Sequence, residues 1–415
     1  MSEVTNKGYL AKRASYELAG KTTEEKNTAL KLVAQQLLKD KQIILEANHR
    51  DIKKGEESGL TEAVLDRIMI DGTRLESISE AVLSLTELSD PIGEVFETVK
   101  KDNGLLIEKT RVPIGVIGMI YEARPNVTVD AATLSLKTGN AVVLRGSSSA
   151  VHSNIALVES IHKALEKSDI PVDAVQLIED TSRETAKEFF KLNDYLDVLI
   201  PRGSAGLIKV VLKEATVPVI ETGAGNCHIY LDEFAEEKMA INIVKNAKLQ
   251  RPSVCNAIET ILIHPKAYEN FGNKLLTDLA EENVIIHADE SIHANFKQSE
   301  LATKEDWYQE YLGNEVSIKL VKDYVDAIEH INKYGTGHSE AIVTENKTTA
   351  SAFLQGVDAS SVYHNASTRF TDGAEFGYGA EMGISTQKIH ARGPMGLQAL
   401  TSSKFIIQGQ GQIRE

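Results

Sequence analysis

Cysteine is scarce in this chain. Two cysteines in 415 residues cannot build a disulfide framework, which fits a reducing compartment. Long apolar runs are missing as well, and none approaches the roughly 20 residues of a membrane span. The opening Met1-Ser2-Glu3-Val4-Thr5-Asn6-Lys7 carries charge and lacks the apolar core of a signal peptide. A soluble, cytoplasmic protein is expected. Positive charge is also short. Lys and Arg number 45 against 60 Asp and Glu, a net charge of −15, which argues against a nucleic-acid surface. An anionic substrate would therefore need a local basic pocket. There is no internal repeat and no low-complexity tract. What is present is ordinary for a globular chain, with 42% hydrophobic and 25% charged residues. The length exceeds one compact core, so two or more domains are expected.

Residues 22–50 open on Thr22-Thr23-Glu24-Glu25, a capping-box pattern, followed by Leu30, Val33, Leu37 and Leu38 at helical spacing. This is a packing helix. The stretch 98–112 reads as a hairpin turning at Asn103-Gly104. From 113 onward strands and helices alternate: strands at 113–120, 141–145, 174–178, 196–200 and 217–220, helices at 127–138, 150–167, 182–192 and 204–215. Such βαβ units imply a parallel sheet covered on both faces. A second series starts at Cys227-His228-Ile229-Tyr230-Leu231. It continues with helices at 234–248 and 267–281, and strands at 259–263, 284–286, 316–321, 340–344 and 359–364. The boundary falls near 223–226, where Gly223-Ala224-Gly225 supplies flexibility. The cleft between the two domains is the default active site.

Gln250-Arg251-Pro252-Ser253-Val254-Cys255-Asn256 places one cysteine in a small polar turn between a helix and a strand. A thiol becomes a nucleophile when nearby cations or donors lower its pKa, and Arg251 is adjacent in sequence. On the heptapeptide alone, a small buried hydrophobe is the stronger reading. Cys227, at a strand start, is most simply a packing residue. His338 and His390 form no metal triad, and no metal is expected. Two glycine-containing strand-to-helix turns, Arg145-Gly146-Ser147-Ser148-Ser149 and Pro201-Arg202-Gly203-Ser204-Ala205-Gly206, could each hold a phosphate on backbone N–H groups. Neither matches G-x-G-x-x-G, but together at successive strand ends they favour a nucleotide site.

Val112-Pro113-Ile114-Gly115-Val116-Ile117-Gly118 and the run from Lys137 to Arg145 resemble the cofactor domain of the aldehyde dehydrogenase superfamily. Glu221-Thr222-Gly223-Ala224-Gly225 is similar to its glutamate turn, and Cys255 follows Glu221 by 34 positions, as the catalytic cysteine does there. Glu310-Tyr311-Leu312-Gly313 resembles the motif whose glutamate holds the nicotinamide ribose. Five longer blocks, 121–128, 250–256, 334–342, 365–373 and 390–397, resemble one branch, whose members reduce L-glutamyl 5-phosphate. The resemblance covers nearly the whole chain.

The resemblance implies an aldehyde dehydrogenase-like α/β fold with two Rossmann-like domains. Residues 1–225 would bind the cofactor and carry an oligomerisation hairpin at about 98–112. Residues 226–382 would be catalytic, and 383–415 would return to the first domain and end in an oligomerisation strand. The implied reaction reduces L-glutamyl 5-phosphate with NADPH to L-glutamate 5-semialdehyde and phosphate, through a thioester on Cys255. It is the second step of proline synthesis from glutamate. Asn126 and the Cys255 N–H would hold the oxyanion. Arg145, Ser147, Ser148, Gly203, Ser204, Glu221 and Glu310 would serve the cofactor, and Arg251 and Arg369 the substrate, with Arg124 and Lys248 as further cations. Judged singly, each arginine could equally be an ion-pair residue. Glu221 either positions groups near the cofactor or is a solvated turn glutamate. Implied partners are a second copy of the chain and a glutamate 5-kinase that channels the substrate. Three alternatives stay open: a hydrolytic NAD-dependent semialdehyde dehydrogenase, a coenzyme A-dependent relative, and a non-catalytic nucleotide-binding protein. Retention of Cys255, Arg251 and the 365–373 block argues against the last.

Overall fold

A computed structural model describes residues 1–414. The chain divides into two units. The first comprises 1–222, 377–383 and 395–415, and the second 223–376 and 384–394.

The first unit opens with five helices: α1 (Glu3–Leu18), α2 (Thr23–Lys39), α3 (Lys41–Glu57), α4 (Glu62–Ile68) and α5 (Gly72–Glu87). The Thr22 capping box forms, with its hydroxyl on the Glu25 N–H and the Glu25 carboxylate on the Thr22 N–H. Leu30, Val33 and Leu37 are buried as their spacing requires, whereas Leu38 faces solvent. The stretch read as one helix is two, broken at Asp40, whose carboxylate accepts from Ser160 and Lys163. The hairpin is β1 (Val95–Lys100) and β2 (Leu106–Pro113), with Gly104 at φ 88° in the turn. Glycine suits that left-handed backbone.

Next come β3 (Val116–Tyr121), α6 (Asn126–Lys137), β4 (Ala141–Arg145), α7 (Val151–Leu165), β5 (Val175–Leu177), α8 (Arg183–Phe189), β6 (Val198–Arg202) and α9 (Ala205–Glu214). Strands pair in parallel in the order β5-β4-β3-β6. Every residue of β3 is buried, as expected for an interior parallel strand. Residues 217–220 join only through a bridge from Val219 to Leu199. The order reverses between β3 and β6, and such a switch point leaves a crevice at the strands' carboxyl ends.

In the second unit β7 (Cys227–Leu231) is followed by α10 (Glu237–Leu249), β8 (Ile258–Ile263), β9 (Ile285–Ala288), β10 (Glu300–Leu301), β11 (Glu315–Leu320), β12 (Ser339–Val343) and β13 (Ser361–His364). Seven parallel strands run in the order β10-β9-β11-β8-β7-β12-β13. A fully buried β7–β8 pair forms its spine. A two-stranded ribbon, β14 (Ile384–Ser385) with β15 (Gly393–Pro394), also belongs to this unit. The sequence reading had put all of 383–415 with the first unit. The ribbon segment departs from it, anchored by Lys388 and Arg392 on Asp358. The final strand, β16 (Thr401–Gln408), pairs antiparallel with β2 in the first unit, and seven of its eight residues are exposed.

Candidate active site

The turn 251–257 has no regular structure, so tertiary hydrogen bonds must hold it. Asn256 Nδ2 donates to the carbonyls of Arg369 (3.3 Å) and Thr371 (2.9 Å), and the Asn256 carbonyl accepts from Thr368 Oγ1 at 2.7 Å. The turn is thereby tied to the 3-10 turn Thr368–Phe370. Arg369 Nε donates to Gln250 Oε1 at 2.9 Å. Burial pulls the Arg369 guanidinium below its ordinary pKa; Cys255 opposes that shift and Arg251 adds to it. The Arg369 guanidinium, which has Arg251 near it, thus shares the electrostatic surroundings of the half-buried Cys255 thiol. Nearby cations favour the thiolate and suit an anionic substrate.

Behind the turn, the Cys227 thiol is fully buried and donates to the Cys255 carbonyl at 3.2 Å. Burial pushes that thiol well above its ordinary pKa, which leaves it unreactive. Gly225 lies against the same carbonyl: a Cβ built there would be 1.5 Å from the Cys255 oxygen. The Gly225 N–H donates to Glu310 Oε1 at 2.7 Å. The glycine turn, the nucleophile turn and Glu310 are therefore one assembly.

Lys248 does not belong to the substrate cations. It and Glu259 are both fully buried and pair at 2.6 Å, with Lys248 also donating to the Ile258 carbonyl at 2.9 Å. Desolvation lowers the lysine and raises Glu259 to about 7. Removing one partner would strand the other charge, so this pair is structural. His338 Nδ1 meets Ser339 Oγ at 2.7 Å and Cys227 Sγ at 3.7 Å inside the core.

In the first unit, Arg145 ends β4 at the sheet's carboxyl edge. Its Nη2 donates to the carbonyls of Thr181 (2.7 Å) and Ser182 (2.9 Å), while its Nε is buried without a hydrogen-bond partner among the described residues. Burial lowers its pKa, with Asp180 acting against that. Ser147 Oγ accepts from the Ala123 N–H at 3.3 Å and meets Ser149 Oγ at 2.6 Å, and Ser148 is exposed. Glu221 is half-buried, and desolvation raises its pKa.

The second strand-end turn departs from expectation. The Ser204 N–H, expected to meet a phosphate, donates to Glu122 Oε2 at 2.7 Å, and the same carboxylate lies where a Gly203 Cβ would fall. The chain supplies its own anion at the start of α9, satisfying an N–H that would otherwise lack a partner. Nothing in the spacing of 201–206 marks this, because Glu122 comes from another loop.

Asn126 begins α6, and its Nδ2 donates to Asp130 Oδ2 at 3.0 Å. Desolvation pushes Asp130 up to about 6, with Asn126 and Arg202 acting against it. Asp130 has no counterpart among the residues singled out in the sequence, and Arg202 is singled out there only as part of the 201–206 turn. Their positions, one turn into α6 and at the end of β6, were the available signal. Among the described residues, no group of three or more His, Cys, Asp and Glu side chains could hold a metal ion, and no helix is long and apolar enough to cross a membrane.

The aldehyde dehydrogenase family model matches residues 9–294. The chain is 61% identical to gamma-glutamyl phosphate reductase of Oceanobacillus iheyensis, over 100% of both chains. It is 46% identical to the crystal structure of gamma-glutamyl phosphate reductase from Thermotoga maritima, with 100% of both chains covered and a TM-score of 0.98. An engineered glycolyl-CoA reductase with bound NADP+ shares the fold, at 16% identity, 98% and 96% coverage and a TM-score of 0.70.

Proposed function

The chain belongs to the aldehyde dehydrogenase family, and from that premise we propose that it acts as a gamma-glutamyl phosphate reductase, in the second step of proline biosynthesis. L-glutamyl 5-phosphate is reduced by NADPH to L-glutamate 5-semialdehyde, with release of phosphate. The observation that carries this reading is the Cys255 turn, locked by Asn256 to the segment bearing Arg369, with Arg251 beside it.

Cys255 Sγ attacks the acyl phosphate carbon, the C–O bond to phosphate breaks, and the acyl group stays on sulfur as a thioester. One difficult step becomes two easier ones. Arg251 and Arg369 pair with the departing phosphate. NADPH supplies a hydride when bound. The Cys255 N–H and Asn126 stabilise the oxyanion. An amide carries two donors, so Asn126 Nδ2 has one left beside its bond to Asp130. Breaking the C–S bond then returns the thiolate and frees the aldehyde. Arg145, Ser147 and Ser148 bind the adenosine end of the cofactor, Glu310 the nicotinamide ribose, and Glu221 positions groups near it. The buried, unpartnered Arg145 Nε fits a site awaiting an anion. We place the enzyme in the cytoplasm as a homo-oligomer joined through the exposed β1-β2-β16 sheet, with channelling from a glutamate 5-kinase.

The test is the reverse reaction, reduction of NADP in the presence of glutamate 5-semialdehyde. It should require phosphate, which takes the acyl group from Cys255. Turnover to free glutamate at an unchanged rate without phosphate would instead identify a hydrolytic enzyme with Glu221 as general base.

Preference for NADP(H) over NAD(H) follows from Arg145 and its serines, which replace the carboxylate that repels a 2′-phosphate. Arg145→Ala should weaken NADPH binding by about 1.5–3 kcal/mol, the scale of hydrogen bonds to charged groups, and leave NADH nearly unaffected. Calorimetric titration of both cofactors decides this. Equal losses would mean that Arg145 only ties β4 to the Thr181–Ser182 carbonyls.

A further inference from the structure

Asn226 takes no part in the chemistry above, yet all its donors are committed. It is fully buried just before β7, between Gly225 and Cys227. Its N–H donates to Thr336 Oγ1 at 3.0 Å, and its Nδ2 donates to the carbonyls of Trp307 (2.8 Å) and Tyr334 (3.0 Å). Its Oδ1 has no hydrogen-bond partner among the described residues. A buried acceptor left unmet costs stability, so packing alone is a poor account of this amide. The two donors carry its role. Trp307 stands three residues before Glu310, in a stretch with no regular structure beyond the 3-10 turn Asp306–Tyr308. Such a stretch keeps one shape only through bonds to its surroundings. Leu312, two residues after Glu310, has φ 54°, a left-handed backbone unusual for a bulky side chain. Its N–H donates to the buried Glu259 Oε1 at 3.2 Å. Strain of this kind persists where the surroundings over-determine it, and it gathers at ligand clamps.

Glu310 Oε1 accepts the Gly225 N–H at 2.7 Å. Asn226 holds both sides of that bond. The donor is its neighbour in the chain, and the Trp307 carbonyl fixes the stretch that carries the carboxylate. We propose that Asn226 is a positioning residue for the reduction, fixing the Glu310 carboxylate with one oxygen on Gly225 and the other left for the nicotinamide ribose hydroxyls. The inference rests on the functional reading above, in which Glu310 binds that ribose, and adds the residue that aims it. The Cys255 turn has ties of its own, through Asn256 to the Arg369 and Thr371 carbonyls and through Thr368. The effect of Asn226 is therefore confined to the cofactor.

The experiment is a double-mutant cycle read by calorimetric titration of NADPH. Glu310→Gln keeps an acceptor for the Gly225 N–H and should weaken NADPH binding about 10- to 100-fold. Asn226→Asp is nearly isosteric but sets a carboxylate against two carbonyl oxygens, and should weaken binding about 10-fold or more. In the Glu310→Gln background it should cost no more than about threefold further, because the group it aims is already gone. Alkylation of Cys255 by iodoacetamide should stay within about threefold of the wild-type rate throughout. Thr336→Val, which removes only the acceptor of the Asn226 N–H, is the milder variant, with an expected loss of about 3- to 10-fold and the same non-additivity. It decides the matter if Asn226→Asp does not fold. Losses that multiply in the double variant, or Cys255 alkylation that falls in parallel with NADPH affinity, would mark an amide that only stabilises the fold. Either would overturn the inference and leave Glu310 in its role, as would wild-type NADPH binding in the deciding variant. Wild-type binding by Glu310→Gln would overturn the functional reading of Glu310, and this inference with it.

Discussion

Cys255→Ala is expected to fold as the wild type does and to lose turnover by about a thousandfold or more, because the turn holds no second thiol to carry the acyl intermediate. Cys255→Ser should fare little better, since a hydroxyl lacks the low pKa that makes a thiol an attacking anion. Cys227→Ala should keep most of its activity. The Cys227 thiol is buried, pushed toward its neutral form, and its contacts are the Cys255 carbonyl and the buried His338 ring, neither of them a reacting group. Losing the bond to that carbonyl costs about 1 kcal/mol of stability rather than the chemistry. Iodoacetamide mapping separates the two roles: inactivation should track labelling of Cys255. Inactivation with label on Cys227 alone would reverse the assignment.

Gly225→Ala is expected to come close to the same loss by a different route. The added methyl would stand 1.5 Å from the Cys255 carbonyl oxygen and 2.7 Å from its Cα. Both atoms are backbone, so no side chain can swing aside. The turn itself must move, and with it the Cys255 sulfur, the Gly225 N–H bond to Glu310 and the Cys227 contact. A displacement near 1 Å at a reacting group costs about a hundredfold in rate. Overpacking of this kind also costs about 1–3 kcal/mol of stability. Gly225→Ala should therefore show a lowered Tm together with at least about a hundredfold fall in kcat/KM. Activity within a few fold of wild type would mean that the turn tolerates a Cβ and that its geometry is not held as described.

The repeating strand-helix pattern was legible because parallel strands buried on both faces read as short apolar runs. β4 and β7 fall at the boundaries expected of them, and β8, β12 and β13 within one or two residues. Elements whose identity depends on distant partners were not legible. α1, α4 and α5 carry mixed polar sequences, and the break at Asp40 reflects partners on α7. The 384–394 ribbon joins the second unit through Asp358, far away in sequence. The site followed the same division. Cys255, Arg251 and Glu310 stand out locally. Glu122 at the start of α9, Glu259 on Lys248, and Arg202 beside Asp130 arise only once the chain has folded.

The thioester on Cys255 is the centre of this account, and peptide mass mapping tests it most directly. Enzyme would be given glutamate semialdehyde and NADP without phosphate, quenched in acid and digested. The peptide containing Cys255 should carry one glutamyl group, and phosphate added before the quench should remove it. A glutamyl group on another residue, or an unmodified Cys255 in enzyme that turns over once phosphate is supplied, would contradict the account.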